Sequence, residues 1–250
     1  MPPDRGGNPL DEAEDLLVLI PARDEEASIV QVIRGCRESL PGRPILVVDD
    51  GSKDQTASRA RKAGAVVVSH TFGMGYGAAL HTGYLYALRN GFSLVVQLDA
   101  DGQHDPKDLP RLVEPLLQGK ADVTLGSRFL GGKKPRLSLA RRGGILLFRA
   151  MASLGLGGKP FTDPTSGFQG LGSRALEILA RSHFPEDFPD ADVLVFLARS
   201  GCRILEVPVT MHPRRTGRSM HGGARSLYYV YKMSLSLALI PLRSKRRKTG

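Results

Sequence analysis

The stretch Leu94-Val95-Val96-Gln97-Leu98-Asp99-Ala100-Asp101-Gly102-Gln103-His104 decides how this chain is interpreted, because an apolar run of strand character ends in two carboxylates. Side chains two positions apart in an extended segment point to the same side, so Asp99, Asp101 and, if the extension persists, Gln103 are expected to face one point. Two carboxylates this close repel each other unless a cation lies between them. Their oxygens suit Mg²⁺ or Mn²⁺, which proteins usually hold through one or two carboxylates and the phosphates of a substrate. The stretch predicts a divalent metal that bridges this loop to a diphosphate.

The same loop shares features with an EF-hand calcium site and with an ordinary turn. An EF-hand needs glycine at its sixth position and glutamate at its twelfth, where this chain has His104 and Pro110, so that interpretation is rejected. A solvated turn that caps the strand and starts a helix near Asp108 stays open while the Asp-x-Asp pattern is taken alone. The preceding strand and the segments described below favour the metal.

Length and composition indicate one large α/β domain, or one such domain with an appendage. The chain has 250 residues, of which 41% are hydrophobic. Cys36 and Cys202 lack metal-site spacing and are expected to be buried in a reducing compartment. No secretory signal and no apolar stretch of membrane-spanning length is visible, so a cytoplasmic location is expected.

The net charge of +10 is unevenly distributed. Basic residues are concentrated in the stretches 133–149, 214–218 and 243–248. No nucleic-acid-binding module is recognisable and aromatic residues are few, so nucleic acid is not expected as a partner. Acidic substrates and anionic membrane surfaces fit this charge better.

Apolar strand-like runs alternate with helical patterns as far as about residue 126, which predicts a mostly parallel sheet with helices on both faces. Strands are expected at 16–20 (ended by Pro21), 45–48, 65–69, 94–99 and 122–125. Helices are expected at 28–40, 55–63, 73–89 and 107–118. Further along, we expect helices at 144–154, 173–181, 191–200 and 225–242, a strand at 203–209, and turns over 161–171.

Three polar clusters stand where predicted strands end: Pro21–Glu26, Asp49–Asp54 and Asp99–His104. Ligands of parallel sheets bind beyond the carboxyl ends of the strands, so these clusters are expected to meet at one rim. Asp50 is a candidate contact for a base or a ribose. A turn over 50–52 is an alternative that is compatible with this role.

Gly73-x-Gly75-x-x-Ala78 is similar to a dinucleotide-binding fingerprint. That fingerprint normally opens the first strand–helix unit, whereas here it follows the third strand, and a dehydrogenase would leave Asp99 and Asp101 unexplained. We interpret the glycines as a loop whose backbone approaches a bound sugar nucleotide. Plain loop flexibility stays an alternative.

Later segments each allow a functional and a purely structural interpretation. Arg128 can contact a phosphate or be solvated, and 133–149 is either a cradle for an anionic acceptor or a solvated loop. Asp190 and Asp192 can supply a general base or complement a helix dipole. The segment 214–221 can close over a diphosphate as a lid, and the basic C-terminal helix can attach to a membrane or pack on the domain.

Six motifs occur in order over about residues 16–220. They are Ile20-Pro-Ala-Arg-Asp-Glu-Glu26, Val47-Val-Asp-Asp-Gly-Ser52, Leu98-Asp-Ala-Asp-Gly-Gln-His104, Gly126-Ser-Arg128, Thr165-Ser-Gly-Phe168 and Glu206-Val-Pro-Val209. In this order they resemble the family 2 glycosyltransferases, within them the dolichyl/polyprenyl-phosphate mannosyl- or glucosyltransferase-like group. The resemblance implies the Rossmann-like GT-A fold over 16–222, with 1–15 disordered and 223–250 an amphipathic helix and basic tail.

Together with the patterns above, the resemblance implies roles for particular residues. Nucleotide-sugar binding falls to Pro21, Arg23, Glu25, Asp50, Gly75, Asp99, Ala100, Arg215 and Arg218. Metal binding falls to Asp99, Asp101, Gln103 and His221. Acceptor binding falls to Arg128, Arg141, Arg142 and Ser166. The catalytic candidates are Asp101, Arg128, Asp190, Asp192 and Arg218. The chain departs from the family pattern at Arg23-Asp24, where Tyr-Asn is usual, and at Gly217-Arg-Ser-Met220, where many members have Gly-x-Ser-Lys. Both departures leave the donor open.

The resemblance implies an inverting, Mg²⁺- or Mn²⁺-dependent transfer of a hexose from a nucleotide-diphosphate sugar, GDP-mannose or a UDP-sugar, to a polyprenyl phosphate. One alternative is transfer to a hydroxyl in polysaccharide or glycolipid synthesis, with Asp190 or Asp192 as base. A second is a non-catalytic protein that binds sugar nucleotides. Peripheral attachment to the cytoplasmic membrane face is a further expectation, and oligomeric state is left open.

Overall fold

The structure is a computed structural model that describes residues 13–130, 161–181 and 191–213. In the described part of the chain, seven strands form one sheet in the order β3-β2-β1-β4-β6-β5-β7. The strands are β1 Leu16–Ala22, β2 Ile45–Asp49, β3 Val66–Ser69, β4 Leu94–Gln97, β5 Val123–Ser127, β6 Gln169–Leu171 and β7 Ile204–Pro208. The helices are α1 Ile29–Ser39, α2 Thr56–Lys62, α3 Tyr76–Arg89, α4 Leu109–Leu117, α5 Ser173–Arg181 and α6 Ala191–Arg199, with a 3₁₀ turn at Pro106–Asp108.

The predicted mostly parallel sheet with flanking helices is confirmed. Alternate residues of β1 enter opposite layers of the core, which is why its sequence is a continuous apolar run. Leu17 and Leu19 pack on the side of α3, α5 and α6. Leu16, Val18 and Ile20 pack on the side of α1 and α4. Each of these side chains is fully buried, which stabilises the fold by roughly 1.5–3 kcal/mol per residue.

The strand β1 does not end at Pro21, as predicted, but continues to Ala22. Pro21 pairs with Val48 of β2. On its other side the register with β4 stops at Leu19. Proline has no amide hydrogen to donate, and it is tolerated here because one neighbouring strand has already ended. The extension carries the chain further toward the rim.

The turns predicted over 161–171 are only partly correct, because this segment contains β6. This strand pairs antiparallel with both β4 and β5 and so joins the two parallel halves of the sheet. It has three residues, Gln169, Gly170 and Leu171, all buried. A strand this short leaves no alternation pattern that could identify it in the sequence.

The helix α1 buries the predicted stripe, including Cys36. Burial raises the pKa of the Cys36 thiol to about 12, and Cys202 is also buried, as expected for both. The description begins at Ala13, which is already buried. Within the described residues, none of the helices has the length and apolarity needed to cross a bilayer. The helices expected at 144–154 and 225–242 lie outside these residues.

Candidate active site

The loops after β1 and β2, which carry the first two polar clusters, meet at the rim, and hydrogen bonds of Asp24, Glu25 and Glu26 join them. The amides of Asp24 and Glu25 donate to the hydroxyls of Ser52 (2.9 Å) and Thr56 (2.8 Å). In return, Asp24 Oδ1 accepts from the amide of Lys53 at 2.8 Å. The bond between the Glu26 amide and Asp54 is described below. The loop after β1, which carries Glu25, is therefore fixed by the loop after β2.

Asp24 has a left-handed backbone with φ 53°. Among residues other than glycine, asparagine and aspartate adopt this conformation most readily. The replacement of the family's usual asparagine by Asp24 therefore preserves the loop geometry. The departure at position 24 is conservative for the backbone, and the one that changes chemistry is Arg23.

Asp54 is a partly buried carboxylate that links these loops. Burial by itself would raise the pKa of its carboxyl, but donors from Thr56 and the amide of Glu26 outweigh it and lower the pKa below its usual value. The amide of Glu26 lies 3.0 Å from Asp54 Oδ2, and the amide of Thr56 lies 2.9 Å from Oδ1. The carboxylate form is thus the one that holds the rim together.

Asp50 holds the glycine-containing loop between β3 and α3. Its carboxylate accepts from the amides of Met74 (2.7 Å) and Gly75 (3.0 Å) and lies 2.8 Å from His70 Nδ1. Arg23 Nη1 is 3.5 Å away, and Asp50 itself is 4% exposed. A direct contact with a base or ribose stays a prediction, and it would have to replace one of these donors. What the geometry shows is an anchor for the loop.

The glycines over 73–75 have structural roles in this loop that do not require a bound dinucleotide. The motif follows β3, and its amides at 74 and 75 donate to Asp50. A Cβ at Gly73 would lie 2.0 Å from Arg23 Nη1, so glycine lets the guanidinium pack against this backbone. Gly75 has φ 107°, which strongly favours glycine. Whether this backbone approaches a nucleotide stays a prediction.

The carboxylate pair lies just beyond β4. The strand ends at Gln97, two residues before the predicted end, although the amide of Leu98 still donates to Leu19. The chain then turns over 100–102, with φ 73° at Gly102. Extension therefore does not persist to Gln103, and that part of the argument from strand alternation is wrong. Asp99 instead directly precedes the turn, and Asp101 lies within it.

Each carboxylate of the pair has one oriented oxygen. Asp99 Oδ1 accepts from the Tyr76 hydroxyl at 2.9 Å, and its side chain is 34% exposed. Asp101 Oδ1 accepts from the amide of Gln103 at 2.9 Å. The side chain of Gln103 approaches the carbonyl of His212 at 3.4 Å, so its predicted metal contact would require it to turn.

His104 is a structural residue in this loop. Its Nδ1 accepts from the amide of Asp99 at 3.1 Å, so that nitrogen carries no proton. The 3.7 Å approach of Nδ1 to Asp99 Oδ2 is therefore not an ion pair. The ring is buried and stacks on Phe168 with centroids 4.8 Å apart. Phe168 thus packs beneath the turn that carries the carboxylates.

The donors present fit a metal that is shared with a substrate. Among the described residues, no group of three or more His, Cys, Asp or Glu is arranged to hold a metal. Mg²⁺ usually takes one or two carboxylates and completes its shell with phosphate oxygens and water. Asp99 and Asp101 supply such a pair of hard oxygen ligands.

The segment 161–168, which contains the predicted acceptor residue Ser166, packs against Asp99. A Cβ at Gly167 would lie 2.7 Å from the Tyr76 hydroxyl and 3.2 Å from Asp99 Oδ1, so this loop packs directly on the carboxylate. Ser166 is buried at 2% exposure, and its hydroxyl accepts from the amide of Phe168 at 3.4 Å. Any acceptor contact of Ser166 stays a prediction.

Arg128 is not a solvated surface residue. Its Nε and Nη2 donate to the two carboxylate oxygens of Asp163 at 2.6 and 3.1 Å. The Arg128 side chain is 13% exposed and Asp163 is 0% exposed. Sequence reasoning missed Asp163 as a partner, because 35 residues separate the two and no local pattern joins them.

Of the remaining predicted site residues, three lie in the described part of the chain and six lie outside it. Asp192 lies in the first turn of α6, is 5% exposed, and accepts from the amide of Val193 at 2.9 Å. Pro21 and Ala100 are at the rim, in β1 and in the turn after β4. The predictions for Arg141, Arg142, Asp190, Arg215, Arg218 and His221 lie outside the described residues.

Comparison with known proteins agrees with this geometry. Residues 17–168 match the family model described as glycosyl transferase family 2. The undecaprenyl-phosphate mannosyltransferase of Micrococcus luteus is 35% identical over 222 residues, which cover 83% of this chain and 88% of that protein. The polyprenol monophosphomannose synthase of Mycolicibacterium smegmatis is 30% identical over 226 residues, covering 87% of this chain and 85% of that one.

A similar solved structure is glucosyl-3-phosphoglycerate synthase from Mycobacterium tuberculosis in complex with Mn²⁺ and UDP-glucose. It superimposes with a TM-score of 0.67 at 24% identity, covering 94% of this chain and 85% of that one. At this identity the likeness shows the fold, which is the predicted GT-A architecture. The family match and the relatives exclude the non-catalytic alternative. The chain belongs to glycosyl transferase family 2 and is a glycosyltransferase.

Proposed function

We propose that this chain transfers a hexose from a nucleotide-diphosphate sugar to a polyprenyl phosphate, with inversion at the anomeric carbon and with Mg²⁺ or Mn²⁺ bound. One observation carries the proposal: the carboxylate Asp99 and the Arg128–Asp163 pair lie on either side of one packed loop. Gly167 of that loop touches Asp99, and Asp163 at its start holds Arg128. A site for an anionic donor therefore adjoins a fixed cation. The relatives named for undecaprenyl phosphate and polyprenol support a lipid-phosphate acceptor.

On the donor side, Asp99 and Asp101 would hold the metal. When bound, the ion neutralises the diphosphate and stabilises its charge as it departs. The Tyr76 hydroxyl fixes one oxygen of Asp99, which orients the carboxylate before the donor arrives. Groups that are oriented in advance stabilise developing charge without reorganising during the reaction. The solved neighbour in complex with Mn²⁺ and UDP-glucose supports a divalent metal together with a nucleotide-sugar donor.

On the acceptor side, a phosphate is already ionised at neutral pH and needs no general base. Its oxygen attacks the anomeric carbon while Arg128 keeps the phosphate in place through a charge-assisted hydrogen bond. Asp192 is buried and accepts from the amide of Val193, which argues against Asp192 as a base for a hydroxyl acceptor.

Attachment to the membrane surface follows from the proposed acceptor, whose polyprenyl chain resides in a bilayer. We propose that the basic residues of 223–250 contribute at the cytoplasmic face, at about 1 kcal/mol for each residue near an anionic surface. Co-sedimentation with vesicles tests this attachment. Binding should require anionic lipid and should weaken in a chain that ends at residue 222. Equal binding to neutral vesicles would contradict it.

A transfer assay with paired acceptors tests the proposed function. Labelled GDP-mannose, UDP-glucose and UDP-N-acetylglucosamine are each offered with undecaprenyl phosphate or with undecaprenol, the same lipid ending in a hydroxyl. We expect label in lipid only with the phosphate and one preferred donor, and only when Mg²⁺ or Mn²⁺ is present. The double variant Asp190→Asn/Asp192→Asn should stay active. Transfer to hydroxyl acceptors that this double variant abolishes would contradict the proposal.

A further inference from the structure

Glu206, on the edge strand β7, binds the start of the segment that carries Asp163. Its two carboxylate oxygens accept from the amide of Thr162 at 2.8 and 2.9 Å. Its Oε1 also accepts from the Thr162 hydroxyl at 2.8 Å and from the amide of Asp163 at 3.0 Å. One side chain thus satisfies three donors from two consecutive residues.

The direction of these hydrogen bonds is fixed by the carboxylate. An ionised carboxylate only accepts, so the Thr162 hydroxyl donates to Glu206 and must itself accept from the Ser127 hydroxyl, which is 2.5 Å away. The Ser127 oxygen in turn accepts from the amide of Phe129 at 3.2 Å. Hydrogen bonds therefore connect the amide of Phe129 through the hydroxyls of Ser127 and Thr162 to Glu206. Both sequence neighbours of Arg128 belong to this network.

Asp163 connects the hydrogen bonds of Glu206 to Arg128. It is fully buried, and its two oxygens pair with Arg128 in a fork at 2.6 and 3.1 Å. A buried ion pair is strongly weakened by small displacements, because neither charge can recover its hydration. The position of Asp163 follows from its backbone, which Glu206 holds. Among the described residues, the fork uses Nε and Nη2 of Arg128 and leaves the N–H groups of Nη1 as donors for a phosphate oxygen.

We propose that Glu206 is a positioning residue for the acceptor phosphate. It fixes the positions of Thr162 and Asp163 and thereby orients the guanidinium of Arg128 toward that phosphate. The inference rests on the proposed function, in which Arg128 contacts that phosphate. Glu206 itself touches neither substrate. It acts through a planar fork that fixes the direction of the remaining N–H donors of Arg128, which a flexible lysine could not do.

The first test is Glu206→Gln, assayed with undecaprenyl phosphate and the preferred donor. The side-chain amide oxygen can still accept, but the amide nitrogen faces donors. Some of the hydrogen bonds from Thr162 and Asp163 are therefore lost. We expect the KM for the acceptor to rise about tenfold, as for the loss of a hydrogen bond to a charged group, with the KM for the donor unchanged. Thr162→Val, which removes only the hydroxyl, should raise the acceptor KM less.

Asp122→Asn provides a matched control. Asp122 pairs with Arg203 through a similar fork, with both Nε–Oδ2 and Nη2–Oδ1 distances at 3.1 Å, and also accepts from the Arg203 amide at 2.7 Å. This pair joins β5 and β7 at their amino ends, opposite the rim. Its loss weakens the same two strands without touching Arg128. Both KM values should stay as in the wild type.

The deciding result is the coupling between two sites. In an Arg128→Ala background, Glu206→Gln should have no further effect on the acceptor KM. If Arg128→Ala raises this KM but Glu206→Gln leaves it unchanged, or if the two effects add fully, the positioning role is overturned while the proposed function stands. If Asp122→Asn raises the acceptor KM as much as Glu206→Gln, the role is structural and the inference fails. A wild-type enzyme that does not use the lipid phosphate would overturn the proposed function and this inference with it.

Discussion

The rim is held by single carboxylates whose hydrogen-bond donors come from distant parts of the chain. Asp54 binds the loop after β1, Asp50 binds the loop before α3, and Glu206 binds the segment before β6. Hydrogen bonds to charged groups contribute roughly 1.5–3 kcal/mol each, about twice an ordinary one. A few such residues can therefore order loops that have little apolar surface of their own.

At residue scale, the first prediction concerns Asp50→Asn. The amides of Met74 and Gly75 donate to different oxygens of Asp50, so an asparagine can accept from only one of them and places its NH2 group against the other. The loop over 73–75 should loosen, and since Arg23 packs on Gly73, the KM for the donor should rise by roughly tenfold or more, with the acceptor KM unchanged. Steady-state kinetics measures both.

Thr82→Val is the control for this prediction. It removes only the far partner of His70, at 2.9 Å from Nε2, and leaves every donor to Asp50 in place. Its donor KM should stay near that of the wild type. An Asp50→Asn enzyme with unaltered donor kinetics would show that the loop does not depend on this carboxylate.

The second prediction at this scale concerns acid stability. Hydrogen bonds from the Arg203 side chain lower the pKa of the Asp122 carboxyl. A group whose pKa is depressed in the folded state contributes stability above its unfolded pKa, about 3.9 for aspartate, and loses it as the pH falls through the folded pKa. The free energy of unfolding should therefore fall below about pH 4. In Asp122→Asn it should be lower at pH 7 and fall less steeply. Urea unfolding from pH 7 to pH 3 measures this, and parallel profiles for the two proteins would contradict it.

At the scale of elements, the sequence predicted the regular strands and helices up to about residue 126 because each carries a local pattern. Buried parallel strands are apolar runs, and α1 shows its stripe. The strand β6 could not be found, since three residues carry no period and its partners are far along the chain. The same limit applies to the site. Asp99 and Asp101 follow an apolar run that identifies a strand in the sequence. The pairing of Arg128 with Asp163 instead depends on how β5 and β6 pair in the sheet.

A prediction about β6 follows from its tight packing. A Cβ at Gly170 would lie 2.4 Å from Thr124 Oγ1 and 2.9 Å from Leu116 Cδ1. Gly170→Ala should therefore destabilise the protein by about 1–3 kcal/mol, as is typical of overpacking. Gly172→Ala, whose nearest neighbour would be 3.3 Å away, should cost less. Thermal unfolding compares the two, and an equal loss of stability would show that close packing at β6 is not the cause.

At the scale of the whole molecule, three separate patterns in the sequence pointed to one rim, and the fold brings their backbones together there. The parallel strands β1, β2 and β4 end side by side, so the loops after them are neighbours by topology. The antiparallel β6 then adds a loop from later in the chain, which packs on Asp99. This arrangement places the proposed donor site and the proposed acceptor site next to each other at one rim of the sheet.

Asp99 and Asp101 are proposed to bind a cation whose other ligands are diphosphate oxygens. Calorimetric titration of the wild type and of Asp101→Asn with the nucleoside diphosphate of the preferred donor, with and without Mn²⁺, tests this proposal most directly. Mn²⁺ should tighten nucleotide binding strongly in the wild type and hardly at all in Asp101→Asn. Equal binding in the presence and absence of Mn²⁺, or an equal effect of Mn²⁺ on both proteins, would contradict it.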